Sequence, residues 1–158
     1  MRWKYGKTNP VMAAVNSATV IEIGDLLYLA EDDARPASDQ ADQGTAAANQ
    51  ATFHANFLGV AMQRSASGDT ADIRVATEGT FEFIADGVLS TFEIGDLVGV
   101  SENTGGDGLL DQQVIGVENS YEAIGRIQKR ATTATTTPLV RIQSSVMTNG
   151  IQTVSSGS

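Results

Sequence analysis

The residues best placed to do chemistry in this 158-residue chain are two matched carboxylate pairs, Glu22 with Asp25 and Glu93 with Asp96. Two carboxylates flanking a bond can serve glycoside hydrolysis, one as acid and one as base or nucleophile. Each pair, however, sits on either side of a glycine, in the strings EIGD at 22–25 and EIGD at 93–96. An Asp beside a turn Gly accepts backbone amides, so a turn role explains the duplicated acids better than catalysis does. A glycosidase groove also needs aromatic walls, which 6% aromatic residues scarcely supply. Other candidates are weaker. The single histidine, His54 in FHANF, stands between two phenylalanines with no nucleophile motif such as G-x-S-x-G beside it, which fits a packed residue. The acidic stretches Glu31–Asp33 and Asp107–Asp111 offer hard oxygen ligands, but neither has the alternate-position acids and closing Glu of a calcium loop. The segment GDGLLD at Gly106–Asp111 lacks the Lys and following helix of a phosphate loop. With no Cys, thiol nucleophiles, thiolate metal sites and disulfides are excluded. The expectation is a protein that is not an enzyme and uses no cofactor.

Charge is segregated along the chain. All 19 acidic residues lie between Glu22 and Glu122, where they face only Arg35, Arg64 and Arg74. Residues 1–21 carry Arg2, Lys4 and Lys7 with no acid, and residues 126–158 carry Arg126, Lys129, Arg130 and Arg141 with no acid. The net charge of −9 and its acidic middle repel phosphate backbones and anionic lipid, so neither nucleic acid nor membrane is expected as a partner. No run approaches the length of a membrane span, and the start MRWKYGKTNP lacks the apolar core of a signal peptide. The N-terminal segment joins cations to Trp3 and Tyr5, rigid aromatic anchors of the kind that dominate protein contacts.

The elements that must position these residues are strands. Short apolar alternations bounded by Gly, Asp and Asn predict an all-β chain, with strands at Ala18–Ile23, Leu26–Ala30, Phe57–Ala61, Ala71–Ala76, Gly79–Ile84, Leu97–Val100, Ala123–Gln128 and Leu139–Gln143. In GTFEFI the two-residue period puts Phe81 and Phe83 on one, core-facing side. Between Glu31 and Thr52 no large apolar side chain occurs, which predicts a long exposed loop with one helical turn around Ala46–Ala51. One domain is expected, organised as an N-terminal arm over 1–14, a β domain over 15–146 and a flexible tail over 147–158.

Within that domain three blocks recur in the same order. IEIGDLL at Ile21–Leu27 matches FEIGDLV at Phe92–Val98. LGVAMQR at Leu58–Arg64 matches IGRIQKR at Ile124–Arg130, pairing Gly59 with Gly125 and Arg64 with Arg130. DIRV at Asp72–Val75 faces LVRI at Leu139–Ile142, pairing Arg74 with Arg141. Two repeated β units, over about 18–78 and 89–143, are therefore expected to close into a small barrel or sandwich. Gly24 with Asp25 and Gly95 with Asp96 would form the matching turns, and Gly59 and Gly125 would open matching strands.

The EIGDL turn-strand, FLGVAMQ after a polar loop, the DIRVATEGTFEF hairpin, the second FEIGDLVGV and the closing IGRIQ and TPLVRIQ resemble the capsid cement, or head decoration, proteins of tailed bacteriophages, over about residues 15–145. The chain departs from that pattern in its longer Glu31–Thr52 loop and in its basic N-terminal and polar C-terminal extensions. The resemblance implies a non-enzymatic accessory protein, made in the host cytoplasm, that docks on the outer surface of the virion head. There it would bind the major capsid protein, often as a homotrimer, and brace the shell against the pressure of packaged DNA. Arg2, Trp3, Lys4, Tyr5 and Lys7 are the expected capsid contacts. The alternatives are a carbohydrate- or host-surface-binding β module of a virion, for which Trp3, Tyr5, Tyr28 and Tyr121 are the available aromatic platforms, and a small hydrolase.

Overall fold

The computed structural model describes residues 1–85, 91–131 and 136–148. Its strands make two sheets, and the described residues are all-β, as the apolar alternation predicts, apart from helices α1 (Ala46–Asn56) and α2 (Ser145–Thr148) and two short 3-10 turns. The five-stranded sheet runs β2 (Val11–Ala13), β6 (Ile73–Ala76), β5 (Phe57–Ala61), β3 (Leu26–Ala30), β4 (Asp33–Pro36). The seven-stranded sheet runs β1 (Arg2–Tyr5), β7 (Glu78–Glu82), β12 (Leu139–Gln143), β11 (Gly125–Ile127), β9 (Leu97–Glu102), β10 (Leu109–Gly116), β8 (Ile84–Ala85). Among the described residues no helix is long and apolar enough to cross a membrane.

Alternation along each strand sorts side chains into two buried clusters. Leu26 and Val60 face Phe81, Val98, Val140 and Ile142 between the sheets, together with Phe53, Phe57 and Phe83. Their neighbours Leu27 and Ala61 point the other way, into a second cluster with Ile21, Leu58, Ile73 and Val75. The five-stranded sheet curls around this second cluster. Its edges touch where the Ala34 N–H donates to the Ala14 carbonyl at 2.9 Å, a single bridge that does not close a barrel ladder. The architecture is a two-sheet sandwich. Phe81 and Phe83 share the core face as expected, with ring centroids 6.1 Å apart.

Pairings in the two sheets correspond. β3 pairs β5 with Leu26 opposite Val60 and Leu27 opposite Gly59, and β9 pairs β11 with Leu97 opposite Arg126 and Val98 opposite Gly125. β6 then flanks β5 as β12 flanks β11, and β4 flanks β3 as β10 flanks β9. One expected match is corrected. Ala76 lies opposite Val60 and Arg141 opposite Arg126, so Arg141 corresponds to Ala76, and Arg74 corresponds to Leu139. A slip of two residues keeps every side chain on its own face, so the hydrophobic pattern could not detect it.

The region between Glu31 and Thr52 is also corrected. It contains β4, a 3-10 turn at Ala37–Asp39 and most of α1, a helix of 11 residues. Thr45 caps α1 by accepting from the Ala48 N–H at 3.1 Å, a contact of the kind worth about 1 kcal/mol. The helix packs through Phe53, which meets Phe57 at 5.6 Å and Tyr28 at 5.9 Å, and through two buried amides. Asn49 donates to Glu102 at 2.7 Å and to Asp42 at 3.0 Å, and Gln50 donates to the Val100 carbonyl at 3.0 Å. A polar buried face satisfied by hydrogen bonds carries no apolar signature for sequence patterning to find.

Residues 1–14 are part of the body. β1 lies at the edge of one sheet and β2 at the edge of the other, so the N-terminal segment ties the two together. Of the expected tail, Met147 and Thr148 belong to α2, and 149–158 lie outside the described residues, as do 132–135 of the threonine-rich connection.

Candidate functional site

The paired carboxylates are consumed in building turns. Asp25 Oδ2 accepts the Glu22 N–H at 2.8 Å while the Asp25 N–H returns to the Glu22 carbonyl at 3.1 Å. Asp96 and Glu93 make the same two bonds at 2.9 and 3.1 Å. Gly24 and Gly95 hold φ of +98° and +91°, and their N–H groups donate to Ala61 and Ile127. The glutamates turn outward to arginines: Arg64 Nε lies 3.1 Å from Glu22 and Arg130 Nε 2.9 Å from Glu93. Gly59 and Gly125 sit where neighbouring backbone leaves no room for a side chain, with Ala76 and Arg141 respectively against them. The two turns thus share their hydrogen bonds, although Gly24 has Met1 and Gln112 close by while Gly95 is open.

Asp25 is buried, and burial raises its carboxyl above the ordinary carboxylate range; the Glu22 N–H and the Gln112 amide oppose this, while the charges of Asp111 and Glu22 add to it. Of the acidic stretches, Asp107 accepts from the Asn103 amide at 2.9 Å, and Asp111 accepts the Ser38 N–H at 2.7 Å and its hydroxyl at 3.0 Å. His54 Nδ1 lies 2.6 Å from the Ala123 carbonyl, which can only accept, so Nδ1 carries the proton and ties α1 to the loop before β11.

Four of the five expected contact residues, Arg2, Trp3, Lys4 and Tyr5, make up β1, and Lys7 follows it. Trp3 and Tyr5 are about half exposed, at 51% and 48%. Arg2 and Lys4 share one carboxylate, Glu82 of β7, at 3.4 and 3.2 Å. The far side of β1 pairs with no described strand, so its backbone donors and acceptors lie open along an edge.

Behind β1 the same face continues across the sheet. Tyr5 lies opposite Thr80, Thr80 opposite Arg141, and Arg141 opposite Arg126, one row across four strands. Val140 and Ile142 are buried, so the Arg141 row faces outward. Two clefts open on it. One of about 450 Å³ is lined by His54, Ser120, Arg126, Arg141 and Gln143, and one of about 280 Å³ by Tyr5, Lys7, Gln128 and Arg141. Arg126 and Arg141 are the residues that sequence reading left out of the candidate site. Their signal was present in the two acid-free ends of the chain, which the fold brings onto one sheet.

No protein-family model matches the chain, and no curated protein is found similar to it.

Proposed function

We propose that this chain is a capsid decoration (cement) protein, which binds the outside of an assembled phage head and stabilises the shell against internal DNA pressure. The observation that carries this reading, beside the sequence resemblance, is the open edge strand β1 with Trp3 and Tyr5 half exposed between Arg2, Lys4 and Lys7. An unpaired strand edge offers main-chain hydrogen bonds to an incoming strand, and aromatic side chains beside it supply contact area at low entropic cost. The partner is the major capsid protein, and the working unit is a homotrimer on the outer surface of the virion. A ligand that binds the expanded lattice and not separated subunits stabilises the lattice by mass action. Trivalent engagement adds avidity without any single strong contact.

The deciding experiment adds purified protein to expanded heads that lack it and measures occupancy by electron microscopy. Saturable binding at symmetry-related outer sites, lost or weakened in Trp3→Ala, is the expected result; heads that remain bare at high protein concentration overturn the reading. Size-exclusion chromatography with light scattering tests the trimer, which a monomer in solution and on the particle would rule out.

A further inference from the structure

We propose that the outer face of β1, β7, β12 and β11 is a docking groove for a carboxylate-bearing segment of a partner protein, received by Arg126 and Arg141. The inference rests on the docking reading above but names a surface and a partner chemistry that the edge strand alone does not.

Arg126 and Arg141 stand directly opposite each other on neighbouring strands, both exposed. Like charges in that position repel. Among the described residues neither forms an ion pair, although Arg64 and Arg130, also exposed, each hold a glutamate. Arg126 donates Nη1 to the Gly95 carbonyl at 2.8 Å, which fixes its guanidinium, and among the described residues its other side-chain donors have no hydrogen-bond partner. Two guanidinium forks side by side suit planar carboxylates, which they bind through paired hydrogen bonds.

The two clefts have Arg141 and Glu78 in both their walls, so they adjoin; one reaches His54 and the other Tyr5 and Lys7, and together they make up the trough. Lys7 makes no ion pair among the described residues, and Arg2 and Lys4 share a single carboxylate. Among the described residues Glu78, bonded to the Asn9 amide, is the one acid lining the trough. Half of the chain's ten basic residues, Arg2, Lys4, Lys7, Arg126 and Arg141, therefore meet on one face of a protein whose net charge is −9. Such a patch complements an acidic segment confined to the trough. A nucleic acid long enough to make many phosphate contacts would run out of the trough onto the acidic remainder of the body.

The test titrates the full-length protein with a short synthetic peptide of alternating Glu and Ser, following the arginine Nε–Hε signals by NMR. Controls are a Lys and Ser peptide of equal length, inorganic phosphate and a short single-stranded DNA. Saturable shifts at Arg126 and Arg141 with the acidic peptide are expected, with affinity falling about tenfold or more in the double variant Arg126→Gln/Arg141→Gln. Arg64→Gln/Arg130→Gln should bind like the parent. The pair Arg126→Lys/Arg141→Lys keeps the charge and loses the fork, so an intermediate affinity is expected; it also serves if the glutamine pair unfolds. No saturable shift, equal binding by the glutamine and parent proteins, or equal or tighter binding of phosphate or DNA would each overturn the proposal. Head binding is read separately. Heads that take up parent and double variant equally overturn the groove and leave the cement reading standing. Heads that take up neither overturn the cement reading, while the peptide titration still decides the groove.

Discussion

Gly59 of β5 and Ala76 of β6 approach so closely that a Cβ on Gly59 would stand 1.9 Å from the Ala76 carbonyl oxygen. Backbone cannot yield as a flexible side chain can, so Gly59→Ala must push β5 and β6 apart between the two buried clusters. A loss of about 3 kcal/mol is expected from such overpacking. Gly95→Ala provides the contrast, since nothing lies within 4 Å of its added carbon and only its φ of +91° opposes the change. About 1 kcal/mol is expected there. Urea denaturation of both variants checks the order; equal losses would mean that the sheet shifts to admit a methyl group at Gly59.

Asp25 gives the stability a pH dependence of defined sign. Its folded carboxyl titrates above the ordinary value because it is buried, with the Glu22 N–H and Gln112 amide acting against that effect. Between the unfolded and folded values the folded state binds more protons than the unfolded state, so stability from this group falls as pH rises through that window. On acidification from neutral pH toward about 4, the parent should therefore gain stability relative to Asp25→Asn, which does not titrate. Denaturation midpoints of the two proteins across that range measure the difference, and a difference that is constant or of opposite slope rules the account out.

Three strands, β3, β5 and β12, fall at the residues expected from sequence because each is a short, largely apolar run that starts directly after a turn-favouring residue, Asp25, Asn56 or Pro138. Others were hidden for identifiable reasons. β1 reads RWKY and β4 reads DARP, cation- and proline-bearing strings that only an edge strand accommodates. β10 reads LLDQQVIG, and most of its residues are only partly buried, so the alternation is blurred. The expected strand Ala18–Ile23 contributes only the Ile21–Ser65 bridge, because the turn at Gly24 leaves it alongside the sheet with no ladder. Within the candidate site, the cations and aromatic rings of Arg2 through Tyr5 stand out in the sequence by residue type alone. The Arg126–Arg141 apposition was not, because it depends on strand register across a connection whose composition does not fix its geometry.

Asn49 tests whether α1 is held by its amides. It is almost fully buried, accepts the Gln43 N–H at 2.7 Å and donates to both Asp42 and Glu102. Removing the amide strands several polar groups at once, so Asn49→Ala should cost about 3 kcal/mol. Asn49→Leu should not recover that loss, since an apolar side chain of similar size leaves the same partners unpaired. Thermal unfolding of the two variants checks this, and a leucine variant as stable as the parent would show that packing, not hydrogen bonding, seats the helix.

The two matching turns separate the work of aspartate from that of glutamate. The Glu22–Arg64 and Glu93–Arg130 pairs have all four side chains more than half exposed. Water and salt screen such pairs, so each double-mutant cycle should give a coupling below about 1 kcal/mol that shrinks with added salt. Asp96 accepts a backbone N–H inside the turn, a bond that ions do not reach in the same way. Asp96→Ala should therefore cost about 1 kcal/mol at any ionic strength. Urea midpoints of the single and double variants at low and high salt distinguish the two roles. A salt-insensitive coupling at Glu93–Arg130, or a salt-sensitive loss at Asp96, would reverse the assignment of what holds the turn.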